Sequence, residues 1–178
     1  MAKENVVPKT IAKCRILQRL GHGKTTRIFQ AFYEPLQKEV AVKILKEDMK
    51  ASADVRQKFL NEARALAKLD HENNVKVFDV VEEAGFLLII MELLKGRDVS
   101  RVLEEEGHLE AEQAVDIAGQ AAAALAAAHR QQIVHRDVKP ANLMIVGRRE
   151  QVKLLDFGLA VEGVTAGKAG TPDYMSPE

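Results

Sequence analysis

The sequence has a single cysteine and no excess of either charge. Cys14 is the one thiol in the chain, so an internal disulfide cannot form, and this usage is typical of a reducing cytosol. We interpret Cys14 as a small apolar strand residue, and we expect a cytoplasmic location. Lys and Arg together number 26, as do Asp and Glu, so the formal net charge is zero. That balance provides no basic field for nucleic acid or for an anionic membrane surface.

Long apolar stretches are also missing. Residues 1–10 contain no apolar core of signal-peptide length, and no uncharged run approaches the roughly 20 residues that a membrane helix needs. We therefore expect no membrane segment in this chain. Its 178 residues are 47% hydrophobic and 29% charged, a composition that can bury a core in one domain or in two small lobes.

The first half of the chain predicts an antiparallel sheet and one helix. Branched and aromatic residues cluster in short segments that turn residues such as Gly21, Gly23 and Pro35 separate. Between residues 55 and 69, apolar residues recur at helical spacing among charged ones, which predicts an amphipathic helix. The five predicted strands are Arg15–Leu20, Arg27–Tyr33, Glu39–Leu45, Val75–Glu82 and Phe86–Glu92.

The second half changes character after the Lys95-Gly96 pair, which we take as the boundary between two lobes. Residues 99–106 and 111–131 have helical patterns, and the second of these is rich in alanine, whose small side chain permits close packing. Short strands are predicted at 142–146 and 152–155. The pattern therefore indicates an α+β protein whose second lobe is mainly helical.

The first candidate functional motif along the chain is a turn with two glycines. Gly21-His22-Gly23 lies between two predicted strands, where glycines allow backbone N–H groups to approach a phosphate. Taken alone, such a hairpin is more often plain turn chemistry than a nucleotide clamp. Lys43 follows on a predicted strand and Glu62 on the predicted helix. A lysine that faces a sheet interior needs a partner, although an isolated lysine of this kind usually faces solvent.

Two later motifs reverse that preference. Residues 135–142 read HRDVKPAN, which brings an acid, two basic residues and an amide together directly after the apolar pair Ile133-Val134. Such a run can be a solvated turn, but Asp156-Phe157-Gly158 follows at the end of a predicted strand. Carboxylate and amide oxygens that converge in this way form a site for a hard cation such as Mg²⁺.

In order and spacing, these motifs resemble eukaryotic-type serine/threonine protein kinases of the bacterial, Hanks-type group. The pattern GxGxxT, then AVK, a helix glutamate, HRDxKPxN, DFG and a terminal SPE runs from about Ile11 to Glu178. The resemblance implies the protein-kinase-like two-lobe fold, with a five-stranded antiparallel sheet plus helix in the N-lobe. It also implies an enzyme that transfers the γ-phosphoryl group of ATP, with Mg²⁺, to Ser or Thr hydroxyls of a protein substrate.

By this resemblance the first lobe and its hinge bind the nucleotide. Lys43 is implied to hold the α- and β-phosphates and Glu62 to pair with Lys43. Met91 resembles the gatekeeper residue that precedes the hinge. The implied nucleotide-binding residues are Leu20, Gly21, His22, Gly23, Ile28, Ala41, Lys43, Met91, Glu92, Leu94 and Met144.

The resemblance likewise implies the catalytic roles. Asp137 would orient the substrate hydroxyl and accept its proton, and Lys139 would steady the γ-phosphoryl group. Asn142 and Asp156 would ligate Mg²⁺. Thr171 resembles the residue that contacts the catalytic aspartate, and Thr165 is a candidate phosphorylation site, although a threonine in a Gly/Ala loop is more often only a loop residue.

The implied division of the chain is an N-terminal extension over 1–10, an ATP-binding N-lobe over 11–94 and a partial C-lobe over 95–178. Because members of this group continue with further helices, we expect an incomplete C-lobe with exposed apolar surface and possible self-association. Thr26 stands where a third glycine is usual, Glu72 where proline is usual and Ser176 where alanine is usual. The main alternative is a fragment that binds nucleotide or docks on a partner without catalysis. A small-molecule kinase of the same fold is a weaker alternative.

Overall fold

The computed structural model describes residues 7–23, 25–45, 52–157, 161–162 and 171–174. The chain divides into two compact units. The first contains Met1–Phe59 and Val77–Leu93, and the second contains Leu60–Lys76 and Leu94–Glu178. Residues 60–76 thus group with the second unit, whereas the sequence-based boundary assigns them to the first lobe.

The first unit is built on a six-stranded antiparallel sheet with the order β1-β2-β3-β4-β6-β5. All five predicted strands form, and the two-residue β1 adds a sixth that is too short to show a period in the sequence. A 3-10 turn over Glu34–Leu36 joins β3 to β4. The strands are β1 Thr10–Ile11, β2 Cys14–His22, β3 Thr26–Tyr33, β4 Lys38–Leu45, β5 Val77–Glu83 and β6 Phe86–Glu92.

One face of this sheet carries the hydrophobic core of the first unit. Phe29, Val42 and Ile90 lie opposite one another on three neighbouring strands. Successive side chains of a strand point to opposite faces, so these three share a face. All three are buried, together with Cys14, Ala31, Val40, Ile44 and Leu88.

Residues before β2 cover the edge of this core. Val7 packs partly against it, and Ile11 and Ala12 are buried within it. The turn between β1 and β2 holds Ala12 and Lys13 at φ of 49° and 58°, a left-handed conformation that residues with a Cβ rarely adopt. The Ala12 N–H donates to Glu83 Oε1 at 2.9 Å, which ties the turn to β5.

Helix α1 spans Ala53–Ala67, whereas the periodicity predicted a helix over 55–69. Its end is early because the N–H groups of Lys68 and Leu69 bond to carbonyls three residues back, at 3.2 and 3.1 Å. This 3-10 closure tightens the last turn. The division between the two units falls inside α1, after Phe59.

Among the described residues, the second unit contains the end of α1, two further helices and two small sheets. Helix α2 begins after Asp98, whose side chain accepts a hydrogen bond from the Arg101 N–H at 2.9 Å, and ends at Gly107, with φ of 82°. One sheet has the order β10-β9-β7 and the other pairs β11 with β8. The elements are β7 Gly96–Asp98, α2 Val99–Glu106, α3 Ala111–Arg130, β8 Ile133–Val134, β9 Leu143–Val146, β10 Gln151–Leu154 and β11 Val161–Glu162.

The core of the second unit lies between α2, α3 and the β7–β9–β10 sheet. Val99, Ile117 and Val152 are buried together, and Ala121, Ala124 and Ala128 bury the next turns of α3. In the described part of the chain, no helix is both long and apolar enough to span a bilayer.

Candidate active site

Four of the predicted nucleotide-binding residues share one face of the first unit's sheet. Ile28 pairs with Lys43 across β3 and β4, and Ala41 pairs with Met91 across β4 and β6. Residues that pair directly project on the same side, and Ala41 and Lys43 are two apart on β4. This face is therefore the one opposite the hydrophobic core, and Gly21, which pairs with Ile28, adds to it a position without a side chain.

The glycine turn joins β2 to β3 at one end of this face. The Gly23 N–H donates to the Thr26 carbonyl at 3.0 Å, which closes the turn. A Cβ at Gly21 would meet nothing within 4 Å, whereas a Cβ at Gly23 would lie 3.2 Å from Thr26 Oγ1. Thr26 itself is buried. Lys24 lies outside the described residues.

The other predicted residues of the turn and hinge occupy different settings. Leu20 lies in a bulge of β2 and is 47% exposed, and His22 is exposed. Glu92 ends β6, opposite Val40. In the second unit Leu94 is half-buried before β7, and Met144 is half-buried in β9, paired with Asp98 and Lys153.

Lys43 and Glu62 are two buried charged side chains. Lys43 on β4 is 7% exposed and Glu62 on α1 is 4% exposed. Lys and Glu are almost never buried to this extent unless each has a compensating partner. They belong to different units, and their pairing with each other remains a prediction.

Asp137 lies at the centre of a hydrogen-bonded cluster in the second unit. The Thr171 hydroxyl donates to Asp137 Oδ1 at 2.6 Å, and Lys139 Nζ lies 2.7 Å from Oδ2. Lys139 Nζ also donates to Thr171 Oγ1 at 2.7 Å. Asn142 Nδ2 donates to the Asp137 carbonyl at 2.7 Å and to Oδ2 at 3.2 Å. Both carboxylate oxygens are therefore oriented, and the predicted contact of Thr171 with Asp137 is confirmed.

This cluster controls the charge of Asp137. Burial by itself would raise the pKa of the carboxyl, but the hydrogen bonds from Lys139, Thr171 and Asn142 outweigh it and lower the pKa below its usual value. Hydrogen bonds to the ionised form favour that form. Asp137 therefore stays a carboxylate at neutral pH, the state required of a group that accepts a proton.

The His135 side chain fixes the backbone next to Asp137 by hydrogen bonds. Its Nδ1 accepts the Asp137 N–H at 3.2 Å, so the ring proton lies on Nε2, which bonds to the Leu155 carbonyl at 2.8 Å. Burial is the main cause that lowers the pKa of His135. The ring also packs edge-on against Phe157, with centroids 4.5 Å apart. Neutral His135 thus ties the segment before Asp137 to the segment around Asp156.

The oxygens of Asn142 and Asp156 fit a magnesium site in their chemistry. Both N–H groups of the Asn142 amide are used by Asp137, which leaves Oδ1 as the group available for a cation. Asp156 is exposed and has φ of 59°, an unusual conformation that redirects its side chain after β10. Mg²⁺ is usually held by one or two carboxylates together with substrate phosphates, so two protein oxygens suffice. Within the described ranges, no group of three His, Cys, Asp or Glu residues could hold a metal by itself.

A buried polar anchor beside this site escaped the sequence-based interpretation. Asn73 Nδ2 donates to Gln120 Oε1 at 2.9 Å and to the Val152 carbonyl at 2.8 Å, and the Val152 N–H returns to Gln120 Oε1 at 2.8 Å. The Leu154 N–H also donates to the Asn73 carbonyl at 2.7 Å. These bonds fix β10, which leads to Asp156. No local pattern marks such an anchor, because its members come from three separate parts of the chain.

Thr165, Gly158 and the closing residues 175–178 lie outside the described residues. The phosphorylation hypothesis for Thr165 is therefore left as it stands.

Comparison with known proteins gives a consistent result. The protein kinase domain family matches residues 14–178. The chain is 36% identical over 190 residues to the serine/threonine-protein kinase pkn3 of Myxococcus xanthus, covering 98% of this chain and 35% of that protein. It is 34% identical over 170 residues to the serine/threonine-protein kinase PrkC of Bacillus subtilis, covering 92% and 26%.

A solved structure shows the same architecture. The kinase domain of PknI from Mycobacterium tuberculosis, as a double mutant, matches with a TM-score of 0.75 and 27% identity, covering 86% of this chain and 62% of that one. The chain spans between 21% and 38% of the length of eight curated relatives. The family match and the fold together identify the chain as a member of the protein kinase domain family, with the α+β, two-lobe protein-kinase-like fold.

Proposed function

We propose that this chain contains the nucleotide-binding and catalytic machinery of an ATP- and Mg²⁺-dependent serine/threonine protein kinase. The observation that carries the proposal is the cluster of Lys139, Asn142 and Thr171 around an ionised Asp137. Relatives that share about a third of its residues over nearly its whole length are named serine/threonine-protein kinases, which supports the same activity here.

In this proposal Asp137 receives the proton of the acceptor hydroxyl. Its carboxylate is held by donors on both oxygens, so it is oriented before the substrate arrives, and positioning of this kind lowers the barrier without covalent attack. Lys139 lies beside it as the cation that steadies the γ-phosphoryl group. Thr171 links the two side chains and aligns the acceptor.

The nucleotide would lie on the non-core face of the first unit's sheet. Ile28, Ala41 and Met91 share that face and would contact the adenine, together with Met144. The backbone of Glu92 and Leu94 would bond the adenine edge. The turn that would cover the nucleotide is formed by Leu20, Gly21, His22 and Gly23.

Buried Lys43 would bind the α- and β-phosphates and would be held by Glu62. Asn142 and Asp156 would hold Mg²⁺, which when bound neutralises charge on the phosphate oxygens. A protein with a Ser or Thr hydroxyl is the proposed acceptor, in the cytoplasm where ATP is available, and no nucleic-acid partner is proposed.

We also propose self-association through the second unit. Along α3 the residues Val115, Ala118, Gly119, Ala122 and Ala126 are exposed and lie on one side of the helix. Val115 is 73% exposed. Contact between two copies through this apolar stripe is the proposed mode of association.

The decisive experiment measures phosphoryl transfer. The chain is incubated with Mg²⁺ and γ-labelled ATP and a generic acceptor protein, and the label is assigned by phosphoamino acid analysis. We expect label on Ser or Thr, and a fall of at least about 10²-fold for Asp137→Ala, the usual size for loss of a general base. The exposed Lys58→Gln variant, on α1, serves as the matched control. Label on Tyr alone would contradict the proposal.

Nucleotide binding is measured separately. Mg²⁺·ATP at about 100 times its dissociation constant is expected to stabilise the chain by roughly 2.7 kcal/mol, and Lys43→Ala and Asp156→Ala should lose this gain. Binding without transfer would instead favour the alternative of a nucleotide-binding fragment.

A further inference from the structure

Arg56 and Glu82 form a two-pronged ion pair between α1 and β5. Arg56 Nη1 donates to Glu82 Oε1 at 3.0 Å, and Nη2 donates to Oε2 at 2.7 Å. Two parallel bonds between a planar guanidinium and a carboxylate fix orientation as well as distance. Both residues lie in the first unit, Arg56 in the first turn of α1 and Glu82 near the end of the edge strand β5.

The apolar stripe of α1 cannot supply this directional information. Phe59, Ala63 and Leu66 are buried, but hydrophobic burial is non-directional. The first turns of α1 also contain the Asp54–Lys58 ion pair. Both of its members lie on α1, so this pair cannot fix the position of the helix relative to the sheet.

Glu62 lies six residues after Arg56 on the same continuous helix, about 9 Å further along its axis. A rigid helix that is held at its first turn also has a defined position two turns later. We propose that Arg56 and Glu82 are a positioning pair that sets the placement of Glu62 through α1. This inference rests on the proposed function, in which Glu62 holds Lys43.

The pKa values of Arg56 and Glu82 shift in the directions expected of a direct ion pair. The hydrogen bond from Arg56, followed by its charge, lowers the pKa of Glu82, and the same interactions raise the pKa of Arg56. The two side chains are 40% and 54% exposed. Salt therefore screens the pair, and its effect on the reaction should weaken as ionic strength rises.

The test compares Arg56→Glu, Glu82→Arg and the double charge swap by steady-state kinetics at low salt. Each single variant is expected to lower kcat by about three- to fivefold, in proportion to the modest strength of exposed pairs, with little change in thermal midpoint. The double swap should restore kcat to within about twofold of the parent. At about 0.5 M NaCl the parent should approach the single variants, because the Debye length falls to a few ångströms.

Matched controls are Lys58→Glu on the same helix and the Arg101–Glu105 swap on α2, whose partners are four residues apart and 65% and 42% exposed. Both should leave kcat unchanged. Unchanged kcat in the single variants, or a double swap that fails to restore it, would overturn the positioning role.

A second readout does not depend on catalysis. Hydrogen exchange of the peptide covering residues 53–67 should accelerate in each single variant and recover in the double swap. If no variant transfers phosphate, including the parent, this readout still decides the inference, and the proposed function alone has failed. Unchanged exchange in the single variants would overturn the inference whatever the activity.

Discussion

Cys14 shows how burial determines the chemistry of a single residue. The side chain is fully buried, and burial, followed by the charges of Asp79 and Glu83, raises the pKa of its thiol from 9.0 to about 11. The thiolate is the reactive form of cysteine. This setting agrees with the interpretation of Cys14 as a structural strand residue.

We therefore expect Cys14 to resist thiol reagents in the folded chain. At pH 8 an aromatic disulfide reagent should release no chromophore from the native protein, and one equivalent after unfolding in guanidinium chloride. The pH dependence follows the raised pKa, because protonation of the buried thiol persists at pH values where a free thiol has ionised. Fast stoichiometric labelling of the native protein at pH 8 would contradict this prediction.

Asn73 and Asn74 are adjacent buried amides that differ in how completely their side chains are hydrogen-bonded. Asn74 Oδ1 is the one buried side-chain polar atom without a hydrogen-bond partner in the part of the chain that the structure describes. Its Nδ2 donates at 3.3 Å to the carbonyl of Ala124, which lies inside α3. The Asn73 amide, by contrast, bonds to both Gln120 and Val152.

Replacing these two residues by leucine should change stability in opposite directions. Asn74→Leu removes an unpaired buried oxygen and is expected to raise the free energy of unfolding by about 1 kcal/mol. Asn73→Leu removes the side-chain donor to the Val152 carbonyl and one of the two donors to Gln120 Oε1, and should lower the free energy of unfolding by about 1–3 kcal/mol. Urea unfolding of both variants measures the difference, and a fall for Asn74→Leu as large as that for Asn73→Leu would refute it.

At the scale of elements, periodicity predicted long segments well and short ones poorly. Helix α2 lies over the predicted residues 99–106, and the strand Phe86–Glu92 also matches its prediction. The short strands β1, β7, β8 and β11 were not predicted. Two or three residues contain too little of a repeating pattern, and these strands exist because distant segments provide their hydrogen bonds.

Gly96 shows what such pairing requires. It lies on β7 beside β9, and a Cβ there would fall 1.9 Å from the Ile145 carbonyl oxygen. Gly119 lies inside α3, where a Cβ would meet nothing within 4 Å. The close approach of two strands therefore requires glycine at position 96, whereas the surroundings of position 119 leave room for a larger residue.

We expect Gly96→Ala to destabilise the chain and Gly119→Ala to stabilise it. The first change forces two backbones apart, with a loss of about 1–3 kcal/mol typical of overpacking. The second removes the entropy penalty of a helix-interior glycine, a gain of about 0.5–1 kcal/mol. Thermal midpoints of the two variants should move apart, and a shift of both in the same direction would be inconsistent with this account.

At the scale of the whole molecule, the two units differ in what they leave exposed. The first unit buries a hydrophobic core on one face of its sheet, whereas the second presents the apolar stripe of α3 that begins at Val115. Contiguous exposed apolar surface often marks a site of association.

If the stripe mediates self-association, sedimentation velocity should show a species larger than the monomer as concentration rises. Val115→Glu places a charge within the stripe, at a position that is 73% exposed, and should return the chain to a monomer, because burying an unpaired charge is costly. Leu36→Glu, on an exposed turn of the first unit, is the control. A monomer at every concentration would exclude this mode of association.

The sequence by itself determined the family, the order of the motifs and the type of each long element. It did so because motif spacing and hydrophobic period are local properties that can be identified without coordinates. The family resemblance that these motifs carry implied Ile28, Ala41, Lys43 and Met91 as nucleotide-binding residues, and the register of the sheet brings them to a single face. The boundary predicted at Lys95-Gly96 and the Lys43–Glu62 pair remain predictions.

Only the tertiary structure decided how distant residues meet. Thr171 reaches Asp137 across 34 positions of the chain, Asn73 bonds Val152 across 79, and Arg56 bonds Glu82 across 26. The ionised state of Asp137 and the neutral state of His135 follow from such contacts. The physical reason is the same in each case. The free energy of a charged or buried polar group depends on the groups that the fold places next to it, and separation along the sequence does not predict which groups those are.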